Sequence, residues 1–211
     1  MTHANQRPKV LVAASAGGYY GDRGDDELTE DAAPGDSFLA EVCAAWEHEA
    51  QRAESLGVRV VCVRIGLVLA ADGGALATMR TPFNLGVGGR LGSGQQWMPW
   101  IHIDDLVDLL LFAATTDSLH GPINAAAPGC VRNIDFTRAL GHALHRPTVL
   151  PVPAFALRTL FGDMSVILLS SQRVRPAVAE RNGFVFAFPQ LEPALADALQ
   201  ALVNPDGLAV V

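Results

Sequence analysis

Two short aliphatic runs constrain the fold more than any other feature of this 211-residue chain. They are residues 9–14, KVLVAA, and residues 58–65, VRVVCVRI. Neither run alternates apolar with polar residues, so both predict strands that are buried on two faces, as in a parallel sheet. Between them, an apolar period of 3.6 predicts a helix with Asp36 as its N-cap and Gly57 at its C-terminal end. Strand, helix and strand together predict a right-handed βαβ unit.

The remainder of the first two thirds predicts one more strand and several helices. The predicted elements are a helix over 75–85 interrupted by Pro82, a glycine-rich loop over 86–94, a helix over 104–116, a strand over 122–126 and a helix from an Asn133 N-cap to residue 145. Helices joining parallel strands must lie on the faces of the sheet.

Three closely spaced prolines, Pro147, Pro151 and Pro153, mark a predicted domain boundary. Beyond it the sequence predicts short helices over 155–161, 165–173 and 176–182, a strand over 184–188 and a last helix over 192–202. The predicted class is therefore α/β, with a parallel sheet and helices on both faces over residues 1–146. Residues 147–211 are predicted to form a small α-rich appendage.

Composition excludes several classes of protein. A net charge of −7, from 22 acidic and 15 basic residues, is not the basic footprint of a nucleic-acid-binding protein. No apolar run reaches the ~18 residues of a membrane span, and residues 1–8 lack the apolar core of a signal peptide. Cys43, Cys62 and Cys130 are scattered and odd in number, which indicates reduced thiols in a cytoplasmic protein and no zinc site.

Two glycine spacings resemble a phosphate-binding loop, but neither opens a helix as such a loop must. The spacing that begins at Gly18 is followed by Asp-Asp-Glu, and the one that begins at Gly86 is followed by Ser-Gly-Gln-Gln. Tyr19 and Tyr20 lack the lysine that lowers the pKa of a catalytic tyrosine four residues earlier, because Lys9 is the only lysine.

His102 is open to two interpretations. It either holds a strand-to-helix turn by hydrogen bonds or faces a cleft at the carboxyl end of a strand, where open α/β sheets bind ligands. Trp97 and Trp100 could likewise form the wall of a ligand site or cover the core. His142 and His145 share a predicted helix without a carboxylate or cysteine at ligand spacing, so no metal site is expected.

Seven segments carry a family resemblance when they are taken together. They are residues 14–22 (ASAGGYYGD), 38–47 (FLAEVCAAWE), 64–69 (RIGLVL), 92–106 (GSGQQWMPWIHIDDL), 121–124 (GPIN), 150–153 (LPVP) and 170–174 (SSQRV). In this order they resemble the epimerase family branch of the extended short-chain dehydrogenase/reductase superfamily. Its members are NAD-dependent epimerase/dehydratase-like proteins that carry a small C-terminal domain of unknown function. The resemblance extends from residue 7 to about residue 199.

The resemblance implies a Rossmann-like sheet of which this chain supplies the C-terminal strands, starting at the fifth of seven. The turn and helix that hold the dinucleotide pyrophosphate in the family have no counterpart among these residues. Residues 5–8 run directly into the family pattern, which suggests coding sequence upstream of Met1. The implied cofactor is NADP or NAD, bound weakly by this chain alone. Leu39 and Cys43 stand where the superfamily has its Tyr-x-x-x-Lys pair.

The resemblance also implies a set of site residues. The catalytic candidates are Ser15, Tyr19 and Tyr20. The residues expected to face the nicotinamide are Ser15, Gly66, Leu67 and Val68. The residues expected to line the substrate cleft are Gln95, Trp97, Trp100 and His102.

The expected function is that of an NAD(P)-dependent epimerase or oxidoreductase for a small, unidentified substrate, impaired in the isolated chain. Strand 9–14 is predicted to be central, yet its neighbours are not among these residues, so an apolar edge is expected to be exposed. That edge suggests a homodimer or a complementing chain, and an alternative function as a non-catalytic interaction protein or half of a split enzyme. A third possibility is an enzyme in which Ser15, Tyr19 and His102 act without the usual lysine.

Overall fold

The computed structural model describes residues 7–70 and 73–200. Its strands are β1 (Val10–Ala16), β2 (Glu27–Leu28), β3 (Arg59–Ile65), β4 (Leu67–Leu69), β5 (Trp97–Met98), β6 (Trp100–His102), β7 (Gly121–Ala125), β8 (Val131–Arg132) and β9 (Arg173–Val174). Its α-helices are α1 (Phe38–Gln51), α2 (Gly74–Asn84), α3 (Ile103–Thr115), α4 (Asn133–Ala143), α5 (Ala154–Phe161), α6 (Ser165–Leu169), α7 (Ala177–Arg181) and α8 (Leu191–Gln200). Short 3₁₀ turns occupy Gly17–Tyr20, Arg52–Leu56 and Gly162–Met164.

A three-stranded parallel sheet in the order β1, β3, β7 organises the fold. Alternate residues of β3 point to opposite faces of this sheet. Val60 and Cys62 belong to an apolar cluster that includes Ala50 of α1, and Val61 and Val63 belong to one that includes residues of α3. The predicted α/β class, with a parallel sheet and helices on both faces, is therefore confirmed.

The helix ends differ in detail from the sequence predictions. Ser37, not Asp36, is the N-cap of α1, because its hydroxyl accepts a hydrogen bond from the Ala40 amide at 3.3 Å. Gly57 ends the helical segment in the left-handed conformation, as predicted, with φ of 74°. Asn133 is the first residue of α4 and not its N-cap, which is Arg132 with an extended backbone. The Asn133 side-chain oxygen accepts from the amide of Leu91 in the glycine-rich loop.

The C-terminal segment shares its core with the sheet domain. Leu191 and Leu195 of α8 lie in one buried cluster with Trp100 and Phe136. Strand β9 pairs in parallel with β2 from the first quarter of the chain. The appendage predicted for residues 147–211 is thus packed into the body of the protein as far as residue 200, and the boundary at 147 remains a prediction from the sequence.

The strand predicted over 184–188 is wrong. The amides of Ala187 and Phe188 donate to the Asp105 carboxylate at 2.7 and 3.0 Å instead of to a neighbouring strand. Phe184 and Phe186 contact each other edge to face and pack in the apolar cluster next to α3. Within residues 7–70 and 73–200, no helix is long and apolar enough to cross a membrane.

Candidate functional site

A cleft of about 230 Å³ opens at the carboxyl ends of β1 and β3, where open α/β sheets bind ligands. Backbone-rich turns and apolar side chains make up most of its wall: Ala16, Gly17, Gly18, Ile65, Gly66, Leu67, Met79, Leu91, Trp97, Met98, Pro99, Ile167, Leu168, Ser170 and Gln172. None of these lining residues carries a charge. The cleft therefore suits an uncharged group.

Gly66 lies in the cleft wall, where its backbone passes so close to Pro99 that only glycine fits. A Cβ at residue 66 would lie 2.9 Å from the Pro99 carbonyl oxygen, which is closer than real Cβ contacts allow. The Leu67 amide donates to that same oxygen at 2.8 Å. Of the three residues predicted to face the nicotinamide from this turn, Gly66 and Leu67 line the cleft. Val68 does not, because it packs against the apolar cluster formed with α3.

A buried ion pair lies directly behind the cleft. Arg64 donates through Nε and Nη2 to the two carboxylate oxygens of Glu47, each at 2.9 Å, and Ser15 donates to Glu47 Oε1 at 2.7 Å. All three side chains are buried. Because a buried carboxylate is tolerated only when it is paired and hydrogen-bonded, this group fixes α1 against the carboxyl ends of β1 and β3.

Tyr20 extends this polar group towards β7. Its hydroxyl donates to Asn124 Oδ1 at 2.7 Å and accepts from Arg64 Nη1 at 2.9 Å, while Tyr19 places its ring 3.5 Å from the Arg64 guanidinium carbon. Burial raises the pKa of Tyr20, although the Arg64 cation opposes the shift. Ser15, Tyr19 and Tyr20 do not line the cleft, and the hydroxyls of Ser15 and Tyr20 are engaged in the buried group. Their catalytic role stays a prediction from the resemblance.

Cys43 occupies the place that the resemblance gives to a lysine. It lies on α1 beside Ser15, and burial raises the pKa of its thiol. A protonated thiol carries no positive charge, so it cannot lower the pKa of a neighbouring hydroxyl as a lysine does. The geometry around Ser15 therefore supplies no acid–base dyad of the usual form.

Trp97 lines both the cleft and a second cavity of about 220 Å³. Its indole nitrogen donates to Asp25 Oδ1 at 2.9 Å, and Asp25 also accepts from Arg132 at 3.0 Å. The second cavity has a charged lining: Glu27, Trp97, Pro128, Cys130, Arg173, Val174, Arg175 and Glu180. Trp97 thus lines both cavities, and its assignment to the wall of a ligand site stays a prediction.

The other predicted cleft residues lie elsewhere. Trp100 is completely buried, and its indole nitrogen donates to the Gly129 carbonyl at 2.8 Å, so it belongs to the core. His102 is buried against Phe188 and accepts from the Asp104 amide at 3.3 Å, which caps α3 and matches the turn-holding interpretation. Gln95 is exposed and lines neither cavity.

Sequence reasoning missed the residues that surround Trp97. Asp25, Arg132 and Arg173 come from three distant parts of the chain, and none belongs to a recognisable spacing. Arg132 and Arg173 place their guanidinium carbons 4.6 and 5.1 Å from the centre of the Trp97 ring. The only sequence signal was the segment SSQRV, which contains Arg173 and was noted for its resemblance alone.

Comparison with known proteins defines the class. Residues 1–126 match the NAD dependent epimerase/dehydratase family, and residues 152–198 match a domain of unknown function, DUF1731. The chain belongs to the NAD-dependent epimerase/dehydratase family.

Two curated relatives match this chain over nearly its whole length. An Arabidopsis thaliana chloroplastic homolog of the epimerase family protein SDR39U1 is 46% identical over 197 residues, covering 93% of this chain and 56% of the relative. An epimerase family protein of Staphylococcus aureus is 43% identical, covering 92% of this chain and 65% of its own length. The chain thus spans less than two thirds of these curated relatives.

Solved structures agree on the fold. The human epimerase family protein SDR39U1, determined with NADPH, superposes with a TM-score of 0.85 at 35% identity and covers 94% of this chain and 68% of its own. A Thermus thermophilus UDP-glucose 4-epimerase in complex with NAD superposes with a TM-score of 0.69 at 18% identity, covering 91% of this chain and 64% of its own. The second likeness concerns the fold alone.

Proposed function

We propose that this chain forms the nicotinamide-side and substrate-side wall of an NAD(P)-dependent epimerase or oxidoreductase. One observation carries the proposal: the uncharged cleft lies at the carboxyl ends of β1 and β3 and is lined by Gly17, Gly66 and Leu67. The human relative whose structure was determined with NADPH supports the choice of NADP or NAD.

The cleft fits the nicotinamide end of such a cofactor. Gly17 and Gly66 allow a flat ring to approach the backbone, and Leu67 and Met98 exclude water from one side of it. A bound nicotinamide would supply or accept the hydride, and the protein's part is to hold and orient it. Neither Ser15, Tyr19 nor Tyr20 is assigned a proton-transfer role, because none of them lines the cleft.

We place the pyrophosphate outside this lining, because the family holds it with a turn and a helix that have no counterpart among these residues. Strand β1 has β3 on one side, and along its other edge no strand pairs with it within residues 7–70 and 73–200. We propose that this edge receives a strand from the phosphate-binding half of the site, carried by a complementing chain or another segment. A second copy of this chain is the alternative occupant. Without either, turnover should be impaired.

The proposed compartment is the cytoplasm. The three cysteines are unpaired in the structure, and burial raises the pKa of Cys62 and of Cys130 to about 11. Unpaired thiols of this kind are typical of a reducing compartment.

Blocking the cleft tests the proposed function. A Cβ at Gly17 would lie 3.2 Å from the flexible end of Gln172, so a Gly17→Val side chain fits the fold but intrudes on the cleft. We expect reduced nicotinamide mononucleotide, titrated calorimetrically into the full chain, to bind at least about tenfold more weakly to Gly17→Val. Gly73→Val is the matched control, because a Cβ there meets nothing within 4 Å. Equal binding by both variants would contradict the proposal.

A further inference from the structure

Trp97 lines both the uncharged cleft and the charged second cavity, and hydrogen bonds hold it in place. Its backbone amide donates to the Ser171 hydroxyl at 3.0 Å, its carbonyl accepts from Gln172 at 3.1 Å, and its indole nitrogen is bonded to Asp25. A ligand that extends from the cleft into the second cavity would therefore pass Trp97, which lines both. The charged groups that line the second cavity then decide which substrates bind there.

Most of the charges around the second cavity are already paired. Arg132 is bonded to Asp25 at 3.0 Å, and the Trp97 indole together with Arg132 holds the pKa of Asp25 below its usual value, so this pair stays ionised. Arg175 donates to Glu180 at 3.1 Å and lies 3.6 Å from Glu27. These two arginines are thus engaged by carboxylates of the protein.

Arg173 is different. Its nearest carboxylate oxygen, on Glu27, is 4.0 Å away, so the two groups form a long ion pair without a hydrogen bond. Among the residues that the structure places, its guanidinium has no hydrogen-bond acceptor, and its side chain is only half exposed. Strand β9 holds it in the cavity wall by pairing with β2, and its guanidinium carbon lies 5.1 Å from the Trp97 ring centre.

We propose that Arg173 binds an oxyanion of the substrate, a carboxylate or a phosphate, across Trp97 from the nicotinamide cleft. A guanidinium presents five donors in a planar fork that matches either oxyanion, and its weak hydration favours such pairing in a partly enclosed site. This inference rests on the proposed function and narrows its substrate class. The substrate is a small molecule with a reacting alcohol or carbonyl carbon at one end and an oxyanion at the other.

Titration of the full chain with simple anions tests this site without any dinucleotide. Inorganic phosphate and malonate are titrated separately at constant ionic strength while tryptophan fluorescence is recorded, and Trp97→Phe identifies the responding residue. We expect a saturable change with at least one anion, and binding about tenfold or more weaker in Arg173→Gln. The matched control is Arg138→Gln, which removes an exposed arginine of α4 that pairs with Asp135.

The outcomes separate the possibilities. Saturation by phosphate alone assigns a phosphorylated substrate, and saturation by malonate alone assigns a carboxylate. Partial recovery in Arg173→Lys, which keeps the charge and loses the fork, would add support. No saturable change with either anion, or equal affinity in Arg173→Gln and the unmodified chain, would overturn the proposal. Because no dinucleotide is present, these results do not depend on whether the cleft binds nicotinamide.

Discussion

Replacing Arg64 by methionine is expected to destabilise the protein by about 3–5 kcal/mol in urea unfolding. Arg64 is buried and makes two hydrogen bonds to the Glu47 carboxylate, and its removal leaves that carboxylate without a cation in a site closed to water. The Tyr20 hydroxyl would lose a donor at the same time. We expect the loss to exceed what a missing surface contact could produce.

Two variants make this prediction specific. Arg52→Met removes an exposed ion pair to Glu49 at 2.8 Å and is expected to cost less than about 1 kcal/mol. Adding Glu47→Met to Arg64→Met is expected to recover part of the lost stability, because the uncompensated charge is then gone. If Arg64→Met and Arg52→Met unfold at the same urea concentration, the buried pair does not have the structural role described here.

Replacing Trp100 by alanine is expected to cost about 3–5 kcal/mol, the usual range for removing a completely buried tryptophan. The side chain packs with Phe136 of α4 and Leu195 of α8, so its loss leaves a cavity where the C-terminal segment meets the sheet domain. The Gly129 carbonyl also loses its hydrogen-bond donor. Thermal unfolding should show one transition, shifted to lower temperature.

Trp46→Ala is the matched control, because that side chain is 59% exposed on α1 and should cost little. The measurement also separates the two interpretations of Trp100 that the sequence left open. A residue lining the substrate cleft would change ligand binding and leave stability nearly intact. If Trp100→Ala and Trp46→Ala unfold at the same temperature, Trp100 does not belong to the core, and its assignment to the cleft is favoured instead.

The parallel sheet could be predicted because its signal is local. Buried strands such as β3 are nearly all apolar, and the helix that joins β1 to β3 shows its period in fourteen consecutive residues. Gly57 could be placed for the same reason, because glycine, which has no Cβ, is the residue that most readily adopts the left-handed conformation after a helix. These features need no knowledge of distant parts of the chain.

The site could be predicted only in part because its residues meet over long distances in sequence. Trp97 and Trp100 lie three residues apart with Pro99 between them, yet Trp97 pairs with Arg132 and Trp100 with Leu67, in different sheets. Alternation within one strand therefore does not apply across this segment, and it could not separate the wall of the cavity from the core.

The strand predicted over 184–188 was wrong for a related reason. Its alternating phenylalanines have the period of a strand, and Phe184 and Phe186 are packed as such a pattern suggests. The partner of its backbone, however, is the carboxylate of Asp105, which lies 82 residues from Ala187. A side chain thus takes the place of a neighbouring strand, and periodicity carries no signal for that.

The most direct measurement of the central claim is saturation-transfer NMR of NADPH in the presence of the full chain. No charged side chain lines the cleft at the carboxyl ends of β1 and β3, and we propose that this cleft holds the nicotinamide ring. We expect the nicotinamide protons of NADPH to receive saturation from the protein and the adenine protons to receive much less. Saturation that is strongest on the adenine protons, or absent from both rings, would contradict the assignment of this cleft to the nicotinamide.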